Sequence, residues 1–61
     1  MKIGDHIEVN GEDIFGLSAD IHTLAITKIR KESGRTVLLD CATLDGELDN
    51  LQVFPSEILN V

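Results

Sequence analysis

The sequence predicts an all-β fold, a small closed barrel of five short strands. Three observations carry that prediction. Apolar residues alternate with polar ones in short runs instead of recurring at helical spacing. Glycine-containing turn pairs separate those runs. The chain closes with Phe54-Pro55-Ser56-Glu57-Ile58-Leu59-Asn60-Val61, which follows an apolar strand and reads as one helical turn leading into a short last strand.

The first strand is expected over about residues 5–9, where Ile3, Ile7 and Val9 alternate with polar neighbours. Asn10-Gly11 is a strong turn pair, yet the alternation does not resume directly after it. Residues 12–20 therefore read as a long first loop folded over the barrel and pinned by Phe15, with a short helical turn as the alternative. Residues 23–31 and 35–43 are β-rich and form a central hairpin, turned by Glu32-Ser33-Gly34. Val37, Leu39 and Cys41 share one face of the second of these strands, and Leu38, Asp40 and Ala42 share the other. In the preceding strand Leu24 and Ile26 have a parity that Ile29 breaks. A β-bulge near Thr27–Lys28 brings all three inward. Without one, the hairpin exposes aliphatic side chains and favours dimerisation.

Asp45-Gly46 marks the next turn, and Leu48, Leu51 and Val53 predict a fourth strand. Pro55 has no N–H to give a ladder, so that strand stops before it, in a short 3-10 turn ahead of the fifth. No repeat, low-complexity tract or linker divides the chain, which is read as one domain over residues 1–61.

Length and composition bound what such a domain does. A chain of 61 residues is near the lower limit for folding without staples, since it buries only about 60% of its unfolded surface. Its 43% apolar share is enough for a compact core, and self-association is a further expectation. That core rests on Ile, Leu and Val, because the aromatics are Phe15 and Phe54 alone, with no Trp or Tyr. A lone Cys41 forms no internal disulfide, and no Cys/His grouping has zinc-site spacing, so neither metal nor cofactor is expected. Met1-Lys2 is followed at once by Gly4-Asp5 without an apolar run, and no stretch approaches the roughly 20 apolar residues of a membrane helix. With a free thiol, the expected location is the cytoplasm.

The opening Lys2-Ile3-Gly4-Asp5-His6-Ile7-Glu8-Val9 and the closing Phe54-Pro55-Ser56-Glu57-Ile58 are similar to the ends of small bacterial SH3-like barrel domains. These open on Lys-hydrophobic-Gly-Asp-x-hydrophobic-x-Val and close on Phe-Pro-x-x-hydrophobic. The matches cover about a quarter of the chain and imply a fold, since such barrels serve many unrelated functions. The departures bear on function. Peptide-binding SH3 domains dock polyproline on an aromatic-lined groove, which a chain without Trp or Tyr does not build in the usual way. Ribosome- and transcription-associated relatives carry Gly-x-x-Gly-x-hydrophobic and a basic surface. Here Gly16-Leu17-Ser18-Ala19-Asp20-Ile21 lacks the second glycine and the net charge is −6.

Charge is the unusual feature. Lys28, Arg30, Lys31 and Arg35 are four of the five basic residues and surround the expected hairpin tip. The remainder holds Lys2 and ten of the eleven acids. An acidic body with one basic tip is a dipolar object that orients a partner electrostatically, although solvated tips and lysine-blunted strands are ordinary. Glu12, Asp13 and Asp20 in the first loop, and Asp40, Asp45, Glu47 and Asp49 around the second turn, read as solvated turn residues. Asp45-Gly46-Glu47-Leu48-Asp49 is no EF-hand loop. His6 and His22 stand beside Asp5 and Asp20, and read as surface or half-buried structural residues. Cys41 reads as a small buried hydrophobe.

No catalytic triad pattern, phosphate-binding glycine loop or dinucleotide fingerprint is present, so a non-enzymatic reading leads. It is a small acidic protein-interaction module whose partner is another protein or itself, with Lys28, Arg30, Lys31 and Arg35 as a contact patch. The alternatives are an acidic mimic of nucleic acid that inhibits a DNA- or RNA-handling protein, and weak nucleic-acid binding through hairpin 28–35. The second is disfavoured by the acidic body and by the absence of stacking aromatics beside the cations.

Overall fold

Alternating aliphatic residues give the chain one face to bury, and in a computed structural model describing residues 1–60 that face closes over a single core. Five strands form: β1 (His6–Asn10), β2 (Ile21–Glu32), β3 (Arg35–Thr43), β4 (Leu51–Val53) and β5 (Ile58–Asn60). Single 3-10 turns at Gly11–Asp13 and Pro55–Glu57 follow β1 and precede β5. All pairings are antiparallel within one sheet, in the order β4-β3-β2-β1-β5. The first and last strands are neighbours, but β4 and β5 lie at the two ends of the ladder, so the expected closure is absent among the described residues.

The core consists of Ile7, Val9, Ile14, Leu24, Ile26, Leu39, Cys41, Leu51 and Val53, with Leu17, Ile29 and Ile58 packed against it. No polar or charged residue is buried among those described. The parity break in β2 is resolved by a bulge. Ile26 pairs with Cys41 and Lys28 with Asp40, which leaves Thr27 unpaired. Its hydroxyl donates to the Asp40 carbonyl at 3.0 Å, so the local side chain supplies a donor where the ladder slips. Ile29 then faces inward beside Leu24 and Ile26.

Two expectations are corrected. Phe15 does not pin the first loop, for it is fully exposed at 102%, and Ile14 at 4% is the residue that enters the core. Leu48 belongs to no strand. It lies, 41% exposed, in a turn where Thr43 and Leu48 exchange three hydrogen bonds, with further bonds from the Thr43 hydroxyl to Asp45 and from the Gly46 N–H to the Thr43 carbonyl. That turn occupies the residues a longer β4 would need. The first loop itself combines both expected forms, a 3-10 turn over Gly11–Asp13 and then an irregular return. Asn10 starts it by accepting the Glu12 N–H on Oδ1 at 3.0 Å.

Candidate interaction site

The hydrogen-bonding partners of β2 and β3 run out before their tip does. β1 pairs with β2 through residues 21–25 only, and β4 with β3 through residues 39–41 only. From Lys28 to Leu38 the two strands pair with each other alone, as a ribbon beyond the five-stranded body. Its turn is Ser33-Gly34, with φ of +51° and +79°, between the pair Glu32 and Arg35. Two consecutive positive φ values give the tight hairpin turn whose twist matches the strands, and Gly34 makes its half cheap.

All four predicted contact residues lie on this ribbon and are exposed. The structure does not group them on one face. Arg30 stands opposite Leu38, Lys28 opposite Asp40 and Arg35 opposite Glu32, on the solvent face of the sheet. Lys31 has the parity of the inward-facing Ile29 and turns to the other side. None of the four side chains takes an ion-pair or hydrogen-bond partner among the described residues. Their charge is thus left to solvent and to whatever docks there.

A second feature was missed in the sequence. Asp13, Ile14, Phe15, Asn50, Leu51, Gln52 and Phe54 line one open groove of about 320 Å³. Both phenylalanines point out for the same local reason. Ile14 and Val53, their preceding residues, are extended or in a strand and buried, and successive side chains of extended backbone face opposite ways. The Glu57 carboxylate then accepts the Phe54 N–H at 2.8 Å while the Glu57 N–H donates to the Phe54 carbonyl at 2.8 Å, which holds that backbone fast. The readable signal was an Ile-Phe and a Val-Phe pair, of which only one member can enter a core this thin.

The remaining titratable clusters have local structural duties. The His22 Nε2 lies 3.1 Å from both the Ser18 hydroxyl and the Ser18 carbonyl oxygen, and the hydroxyl lies 3.3 Å from an Asp20 oxygen. The carbonyl only accepts, so Nε2 must carry a proton to bond it and cannot then act as a base toward Ser18. The cluster ties the two ends of the first loop together with the Gly11 N–H, which donates to the Asp20 carbonyl at 2.7 Å. His6 is exposed. The Asp45 carboxyl is held below its usual range, first by the Glu47 N–H and then by the Thr43 hydroxyl. The Cys41 thiol is fully buried, and burial, with a smaller push from Asp40, raises it from 9.0 to about 11. A thiol so raised is a poor nucleophile near neutral pH.

Among the described residues no three His, Cys, Asp or Glu side chains come together in a metal-holding group. No helix among them is long and apolar enough to cross a membrane. No protein-family model, curated protein or solved structure matches the chain.

Proposed function

We propose that this chain is a non-enzymatic, small acidic protein-interaction module of the SH3-like barrel type, making contact through Lys28, Arg30, Lys31 and Arg35. The observation that carries the reading is a set of four unpaired cations on a two-stranded ribbon, on a protein whose net charge is −6. Left free, they attract an anionic surface and steer its approach. The barrel type is supported by neighbouring first and last strands, by a twelve-residue β2 bent at Thr27, and by the 3-10 turn before β5. A cytoplasmic location is consistent with the unpaired, buried thiol. The reading requires no cofactor.

Nucleic acid is the weaker partner for this ribbon. The chain's two aromatics lie in the groove, so the cations have no stacking platform beside them. The mimic reading gains no specific support, because Asp5, Asp45 and Glu57 are occupied as acceptors of local backbone N–H groups.

The test is replacement of all four cations with glutamate, followed by capture from nuclease-treated lysate with wild type and variant as bait. The reading predicts a protein retained by wild type and lost by the variant, with circular dichroism unchanged. Equal capture by both baits overturns it.

A further inference from the structure

We propose that the groove between Phe15 and Phe54 receives the basic ribbon of a second copy of this chain. The inference rests on the hairpin reading above and names its partner.

The groove has the properties of a buried surface without anything burying it. Phe15 is 102% exposed and Phe54 56%, and they are the only aromatic residues the sequence has. Scattered exposed aliphatics are normal, but two phenylalanines converging on one concavity are not. Asp13 also lines the groove, Glu12 precedes it in the chain, and neither carboxylate has a partner among the described residues. The occupant must therefore offer cations together with apolar surface.

The ribbon offers both. Arg30 and Arg35 are exposed and unpaired, and a guanidinium stacks on a phenyl face while it bonds a carboxylate. Val37 and Leu38 beside them are only half buried and supply aliphatic contact. Outside residues 28–35 the chain holds ten acids against Lys2, so the body of another copy is strongly complementary to the ribbon over long range. Within one molecule the cations stay unpaired among the described residues, so they are available to the acidic groove of a second copy. Ribbon and groove are made of different residues, so the contact is head-to-tail, and an open assembly keeps one free ribbon and one free groove at its ends unless it closes on itself.

The experiment is sedimentation velocity on wild type, on R30E/R35E and on F15A/F54A, each alone and the two variants mixed. The expected result is association of wild type at low salt that weakens by at least about tenfold at about 1 M salt, where screening acts within about 3 Å. Each variant alone is monomeric, and the mixture forms a one-to-one complex, because one partner keeps its ribbon and the other its groove. E12K/D13K, a purely surface change, behaves as F15A/F54A does and guards against a folding defect. A wild type that stays monomeric at every concentration overturns the inference, as do variants that still associate or a mixture that does not. If wild type is monomeric yet captures another protein that the four-glutamate variant loses, the hairpin reading stands and this inference alone falls.

Discussion

Gly11 shows how a single residue sets the first loop. Its φ is not positive, so conformational freedom is not what it provides; a Cβ there would lie inside contact distance of the Ser18 carbonyl and against the His22 ring. The glycine lets the loop's return strand cross close over its start. G11A forces backbone to move and should lower stability by about 2 kcal/mol or more, measured by urea denaturation. Cys41 acts in the opposite regime, as a neutral group that resents ionisation. Its pKa is raised from 9.0 to about 11, so its stabilising contribution is whole below about pH 9 and is lost as pH rises toward 11. Two units correspond to about 3 kcal/mol, and the stability advantage of wild type over C41A should shrink by that order across this window. In urea titrations at pH 8 and 11, an unchanged advantage would refute the assignment. At this scale the sequence was legible in Cys41, whose strand parity placed it in the core. It was illegible at Ile14 and Phe15, where hydrophobicity alone does not say which of two adjacent large residues turns inward.

Among elements, the central hairpin was the most readable, because its irregularity left a trace. Leu24, Ile26 and Ile29 do not share one parity, and only an extra residue reconciles them; Thr27 is that residue. The hairpin turn was readable too, although Ser33 holds a φ of +51° that serine tolerates poorly. S33N places a residue that favours this conformation in an otherwise unchanged turn, and should raise stability by about 0.5 kcal/mol, visible as a higher melting temperature. A lower melting temperature would mean that the Ser33 side chain has a role beyond the turn. β4 was misjudged because apolar count overrode turn chemistry. Leu48 looks like a strand residue, but Thr43 bonds its backbone both ways, with a hydroxyl that accepts its N–H at 3.0 Å. Side chains that bond backbone this near in sequence compete with a ladder and here prevail.

Over the whole molecule, the all-β class and the strand order follow from local patterns, while closure of the sheet does not. β4 and β5 are three residues each, which limits how far either edge offers itself to a neighbouring chain. Two exposed features bear on partners, the ribbon and the groove. One was visible in advance because charge is counted directly from sequence. The other depends on which way two phenylalanines point, and that is settled by the residues before them. The ribbon cations and the two exposed phenylalanines sit on an elongated body of 33 × 20 × 18 Å, with Gln52 of the groove opposite Asp40 and Asp40 opposite Lys28 of the ribbon.

The most direct measurement is a series of two-dimensional nitrogen–proton NMR spectra of the wild-type chain at increasing concentration in low salt. Association through ribbon and groove concentrates the shifts at Lys28–Leu38 and at the groove residues Asp13, Phe15, Asn50, Gln52 and Phe54, and high salt abolishes them. Shifts confined to other surfaces, such as the β5 edge, or spectra unchanged across the series, would contradict it.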